Sequence, residues 1–293
     1  MFRSIYFILL ILAVTFCKDQ TQKSNMQNNA SERLNFESGY SNVNGLKMYY
    51  EIYGKGKPIV LIHGGGSTIQ TSFEKIIPLL AKNRKVIAVE LQAHGRTSDR
   101  DADLSFEQDA VDVFTLLNNL KIEKSDFLGF SNGGTTSLQI AIKHPNIVNK
   151  LILCSALAKR NGVPDWFWGF MQKAKLENMP KQLKEGYEKV AQDKSGMQTM
   201  HDKDAKRMLN FKDISDDKIQ TIKVPTLIII GDKDIITPEH AIELHRQISN
   251  SRLSIIPGGH GEYIGEVTTI SSDFKEENLV VPMIEKFLNA EIN

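Results

Sequence analysis

The chain has 293 residues, of which 41% are hydrophobic and 8% aromatic, enough for a sizeable core and too many for a disordered chain. Its 36 basic and 35 acidic residues leave a net charge of +1, without the basic excess expected of a nucleic-acid-binding protein. The two cysteines, Cys17 and Cys154, make no disulfide framework, and no Cys/His spacing of a zinc site is present.

Residues 1–17 read as a targeting segment. Arg3 supplies a positive start, and Ile5 to Phe16 is an apolar run too short for an ordinary membrane-spanning helix. Cys17 follows at once, and Val14-Thr15-Phe16-Cys17 resembles a bacterial lipoprotein box, in which the cysteine is lipidated after cleavage. Phe16 departs from the small residue usual at that place, so an ordinary signal peptide and an uncleaved short anchor stay open. Residues 18–36 read as a flexible linker, because Lys18 to Ser31 is rich in Gln, Asn, Ser and Lys. The expectation is export from the cytoplasm, to the periplasm or as a membrane-anchored lipoprotein whose membrane contact is through Cys17.

The folded unit is expected over 37–293. Asn44-Gly45 is a hairpin signal between Gly39–Val43 and Leu46–Tyr53. Ile59–Ile62 is a continuous apolar run bounded by breakers and reads as a buried strand. Strands and helices then alternate: a helix over Phe73–Ala81, a strand at Val86–Val89, a helix over Ser105–Leu120, a strand at Phe127–Phe130, a helix from Thr135 to Lys143 and a strand at Leu151–Cys154. After a break come a strand at Thr226–Ile230, a helix from Pro238 to Ser249, a strand at Leu253–Ile256 and a closing helix from Leu279 to Leu288. This alternation predicts an α/β fold with a mostly parallel central sheet flanked by helices. The break, about 157–222, holds no convincing strand and predicts a helical cap inserted between two strands. Its cluster Trp166, Phe167, Trp168 and Phe170 reads as packing of the cap, as the apolar wall of a substrate pocket, or as both.

Gly129-Phe130-Ser131-Asn132-Gly133-Gly134 lies between a predicted strand and a predicted helix. A serine there with glycines two positions away on each side fits a strained turn that exposes a nucleophile; the bland alternative is a Gly/Ser-rich connecting loop. A serine hydroxyl needs an adjacent base, and the base needs a carboxylate. Other predicted strand ends supply these types: Gly231-Asp232-Lys233-Asp234, Gly258-Gly259-His260-Gly261, and His63-Gly64-Gly65-Gly66 as a source of backbone donors. The carboxyl ends of parallel strands are where crevices form.

Together, His63-Gly64-Gly65, His94-Gly95-Arg96-Thr97, the serine turn, Pro225-Thr226 leading into Gly231-Asp232-Lys233-Asp234 with Pro238, and Gly258-Gly259-His260 resemble the α/β-hydrolase superfamily, in its capped esterase, haloperoxidase-like and lactonase-like branch. The resemblance runs from about Asn44 to Leu288. It implies Ser131 as nucleophile, His260 as general base and acid, Asp234 as the acid of the triad with Asp232 as rival, and the amides of Gly65 and Asn132 as oxyanion hole, with Gly66 as an extra or substitute donor. His63 and His94 are read as structural. Glu90 stands where the family usually has Asp, and Gln92-Ala93-His94-Gly95 replaces a more glycine-rich loop.

A serine at this turn disfavours the reactions of the superfamily that proceed through an aspartate ester. The resemblance therefore implies a serine hydrolase acting on a small-molecule ester or lactone, with no metal or organic cofactor. Thioesterase, amidase or peptidase, carbon–carbon hydrolase, acyltransferase and cofactor-free perhydrolase chemistry share the same triad. A non-catalytic binding protein on the same fold is the reading from another class.

Overall fold

The structure is a computed structural model that describes residues 35–270, 274–275 and 279–291. The expected targeting segment, Cys17 and the linker up to residue 34 lie outside the described residues.

Strands β1 (Phe36–Val43) and β2 (Leu46–Tyr53) are joined by Asn44-Gly45, both at positive φ, as a tight hairpin turn requires. They are followed by β3 (Lys57–Ile62), β4 (Arg84–Val89), β5 (Ser125–Phe130), β6 (Val148–Cys154), β7 (Thr226–Gly231) and β8 (Ser251–Ile256). All eight form one sheet in the order β1-β2-β4-β3-β5-β6-β7-β8. The β1–β2 and β2–β4 pairs are antiparallel and every other pair is parallel.

The chain leaves β3 for β4 on one side, then crosses to β5 on the other. This reversal opens a crevice at the carboxyl ends of β3 and β5, where the two departing loops diverge.

Alternate residues of the central strands feed two cores. Val60, Ile62 and Phe127 face one layer of helices, and Ile59, Leu61 and Leu128 face the other. Burial on both faces explains why these strands read as continuous apolar runs. Each such fully buried aliphatic side chain contributes about 1.5–3 kcal/mol.

The expected helix over Phe73–Ala81 is instead two short ones, α1 (Ile69–Phe73) and α2 (Ile77–Leu80). Pro78 has no amide hydrogen for the preceding turn, so a single helix cannot run through it. The earlier start comes from Thr68 and Thr71, which form a reciprocal cap. Helix α3 (Phe106–Asn119) opens on Ser105, whose hydroxyl accepts from the Gln108 amide at 3.1 Å. Helix α4 (Asn132–Lys143) starts directly after β5, three residues before the sequence pattern predicts.

Between β6 and β7 the chain forms α5 (Asp165–Gln172), α6 (Lys181–Val190), α7 (Gly196–Leu209) and α8 (Asp216–Ile219), with no strand in the interval. Helices α9 (Pro238–Gln247) and α10 (Val281–Asn289) complete the described chain. Among the described residues no helix is long and apolar enough to cross a membrane.

Candidate active site

Ser131 occupies the one-residue turn between β5 and α4 at φ 53°, ψ −119°. A non-glycine residue there is strained and persists only when its surroundings impose it. Two glycines allow the surroundings to close in. A Cβ on Gly129 would stand 2.2 Å from the Gly133 carbonyl oxygen, and one on Gly133 would stand 2.0 Å from that of Ile62. The turn is pinned by the Ser131 amide donating to the Cys154 carbonyl at 2.9 Å and by the Gly134 amide donating to the Ser131 carbonyl at 2.8 Å. The start of α4 lies immediately beyond Ser131, where helix amides favour negative charge.

His260 follows β8 and Asp234 follows β7. His260 Nε2 lies 3.0 Å from Ser131 Oγ, and His260 Nδ1 lies 2.7 Å from Asp234 Oδ1. The sequence separates these residues by up to 129 positions, and the sheet brings all three together. The rival Asp232 points elsewhere: its Oδ1 accepts from the Gly258 amide at 2.9 Å and so holds the loop before His260.

The Asp234 carboxylate is fully buried. Burial pushes its pKa up, but the charge and hydrogen bond of His260, the Ser155 hydroxyl and the Ile236 amide outweigh this and hold it below the usual carboxylate value. Ser155 Oγ donates to Asp234 Oδ2 at 2.5 Å and also meets the Tyr263 hydroxyl at 2.7 Å. The sequence reading missed Ser155 and Tyr263. Ser155 directly follows β6 at the same edge of the sheet as the other groups, and that placement was the available signal.

The loop after β3 brings Gly65 against α4. A Cβ on Gly65 would stand 2.4 Å from Asn132 Nδ2, so any larger residue would displace the Asn132 side chain. Among the described residues the amides of Gly65 and Asn132 have no protein acceptor, and both residues line the same cavity as Ser131 and His260. The Gly66 amide differs: it donates to Asp204 Oδ2 at 2.5 Å. His63 donates from Nδ1 to the Gly64 carbonyl and accepts the Leu91 amide at Nε2, which ties the glycine loop to the chain after β4. Burial, aided by neighbouring His94, pulls the His63 pKa down to about 3, so the ring is neutral.

Glu90 is also buried. It accepts from the Arg96 amide and guanidinium, each at 2.6 Å, and so replaces the expected Asp within a closed polar network.

The cavity above Ser131 measures about 290 Å³ and extends under the helical insertion. Its wall is mostly apolar and includes Leu157, Val163, Ile236 and the adaptable side chains of Met171, Met179 and Met208. Of the four aromatics expected there, Phe167 and Phe170 line the cavity. Trp166 and Trp168 do not. Trp166 is 62% exposed, and Trp168 turns away, donating to the Arg160 carbonyl at 3.1 Å beneath the Arg160 guanidinium. The reason is helical periodicity: 167, 170 and 171 share the face of α5 that meets the cavity, and 166 and 168 fall off it.

The family profile for the α/β hydrolase fold matches residues 57–203. The chain is 30% identical to the human protein named serine hydrolase BPHL over 255 residues, which is 79% of this chain and 84% of that one. Among solved structures, the enol-lactonase of Burkholderia xenovorans LB400 superposes with a TM-score of 0.69 at 24% identity, covering 86% of this chain and all of that one. The 2-hydroxy-6-oxo-6-phenylhexa-2,4-dienoate hydrolase of Rhodococcus superposes with a TM-score of 0.72 at 20% identity, covering 88% of this chain. At these identities the two structures bear on the fold alone.

Proposed function

Since the chain belongs to the α/β-hydrolase family, we propose that this serine hydrolase cleaves small to medium apolar carboxylic esters or lactones through an acyl-enzyme on Ser131. The observation that carries the reading is the chain of contacts from Asp234 through His260 to Ser131, at 2.7 and 3.0 Å, beside two unpaired amides on an apolar cavity.

In this mechanism Ser131 Oγ attacks the substrate carbonyl and His260 Nε2 takes its proton. The negative charge that develops on the carbonyl oxygen is met by the amides of Gly65 and Asn132. Each such donor is worth about 3–4 kcal/mol in the transition state. Asp234 holds the proton on Nδ1 and stabilises the imidazolium. The tetrahedral adduct collapses, and His260 returns the proton to the leaving oxygen. A water then gives its proton to His260 and attacks the acyl carbon, releasing the acid and restoring Ser131.

A carbon–carbon hydrolase acting on an anionic dienoate uses the same groups, and Lys175 on the cavity lining gives such a substrate a cation to meet, since the Asp204 carboxylate is already bound by Arg207. The largely apolar remainder of the lining suits a neutral ester, and a substrate panel separates the two.

The test is a panel of p-nitrophenyl esters of increasing chain length, lactones, thioesters, amides and a dienoate, assayed with wild type and Ser131→Ala. The proposal expects turnover of short and medium esters or lactones that Ser131→Ala abolishes. Full activity in Ser131→Ala overturns it. We further propose an exported, membrane-anchored enzyme, a reading supported by Arg3, the apolar run to Phe16 and Cys17. Mass spectrometry of the mature N-terminus tests this: a lipidated Cys17 is expected, and an intact Met1 on soluble protein contradicts it.

A further inference from the structure

The third glycine of the loop after β3 is bound by a residue from the helical insertion. Asp204 lies on α7, lines the cavity, and is largely buried. Its Oδ2 accepts from the Gly66 amide at 2.5 Å and lies 3.0 Å from His94 Nε2. Its Oδ1 is bound by the Arg207 guanidinium. Arg207 in turn donates to Asp109 on α3 at 2.6 Å and lies 4.6 Å above the Phe106 ring. One carboxylate thus joins the loop after β3, the loop after β4 and the insertion, and Arg207 fastens the assembly to α3.

The proton positions follow from the partners. His94 Nδ1 lies 2.8 Å from the Gln92 carbonyl, which only accepts, so Nδ1 carries a hydrogen. Nε2 faces the Asp204 carboxylate at 3.0 Å. Burial lowers the His94 pKa, but the charge and hydrogen bond of Asp204 more than offset it and the net shift is upward. The Gly66 amide lies 2.5 Å from Asp204 Oδ2 and 3.2 Å from His94 Nε2, so Asp204 is its nearer acceptor. Arg207 stands between the carboxylates of Asp204 and Asp109 and binds both.

We propose that Asp204 is a positioning residue: by binding the Gly66 amide it locks the glycine loop so that Gly65 presents its own amide to the reacting oxygen. The proposal rests on the reading of Ser131 as nucleophile and adds a coupling to it. The insertion that shapes the cavity also holds the oxyanion donor in register, so displacing α7 disorganises catalysis as well as the substrate pocket. A misplacement of about 1 Å at such a donor costs on the order of 100-fold in rate.

The test compares Asp204→Ala and Asp204→Asn with wild type on p-nitrophenyl butyrate. It also measures inhibition by a trifluoromethyl ketone, which adds to the serine and forms an oxyanion, and by the parent ester's unreactive ether analogue, which does not. Circular dichroism and thermal unfolding report the fold. We expect Asp204→Ala to lower kcat by about 10- to 100-fold with KM little changed. The trifluoromethyl ketone should weaken in proportion while the ether is unaffected. Asp204→Asn should recover part of the loss, since its amide oxygen still accepts from Gly66. Equal weakening of both inhibitors, or kcat and ketone affinity within about twofold of wild type in folded Asp204→Ala, overturns the proposal. If Asp204→Ala does not fold, Asp204→Asn decides: wild-type kcat and ketone affinity overturn the role, and a selective loss of both upholds it. Ser131→Ala run in parallel separates the two claims. Turnover retained there removes the nucleophile assignment, whereas turnover lost there with unaltered Asp204 variants removes the positioning role alone.

Discussion

The strand-end loops and the helical insertion face the same cavity but are held in different ways. Ser131, Asp234 and His260 sit on turns whose backbone is fastened to neighbouring strands, and Gly129 and Gly133 leave no room for even a methyl group. Helix α5 has no buried residue, and Trp166 and Phe170 are 62% and 51% exposed. The insertion is joined to the body at separate points, such as Arg207 to Asp109 and Lys159 to Glu243. Reaction type therefore belongs to the edge of the sheet, and substrate choice to the cavity face of α5, which substitutions can reshape without unmaking the chemistry; Asp204 on α7, bound to the Gly66 amide, is where the insertion reaches into the first of these.

The largest effect that tests this division is at the triad. Asp234→Asn should lower kcat by about 10⁴-fold on every substrate alike, because the amide favours the wrong imidazole tautomer. A loss confined to one substrate would undo the comparison, since the strand-end groups would then be setting choice as well. Packing comes next. Trp168→Ala should cost about 2 kcal/mol of stability, read by chemical denaturation, and leave relative rates along an ester series unchanged. Phe167→Ala should do the reverse. It enlarges the cavity and shifts the preferred acyl length, changing kcat/KM ratios by about tenfold, with kcat on the shortest ester maintained.

An effect that appears only as pH is varied lies in the polar network beneath the glycine loop. Burial raises the Glu90 pKa from 4.5 to about 7, against the opposing pull of Arg96. A carboxyl whose folded pKa is raised lends stability that is fully present below pH 4.5 and is lost as pH rises toward 7. Through that window wild type should lose up to about 1.4 kcal/mol per pH unit relative to Glu90→Gln. Unfolding free energies of both proteins between pH 4 and 8 check the sign, and parallel curves contradict it.

How legible each region was in the sequence follows the same division. The central strands announced themselves because burial on both faces demands unbroken apolar runs such as Ile59–Ile62. The serine turn was legible because its strain demands glycines at fixed offsets. Around the insertion the sequence said less. Composition alone shows an aromatic cluster near residue 167, but only packing determines that Phe167 faces the cavity and Trp168 turns to Arg160. Asp204 was invisible, since nothing in Asp204-Ala205-Lys206-Arg207 distinguishes it from any charged helical stretch until folding brings Gly66 to it across 138 positions. Pro78 shows the opposite case: a local breaker inside a favourable apolar pattern divides one expected helix into two.

The central claim is that Ser131 is an activated nucleophile. It is tested most directly by treating the folded protein with a fluorophosphonate and mapping the adduct by peptide mass spectrometry. A single stoichiometric adduct is expected on Ser131, formed rapidly in wild type and slowed by orders of magnitude in His260→Ala. Folded wild type that stays unlabelled, or is labelled at another residue, would contradict it.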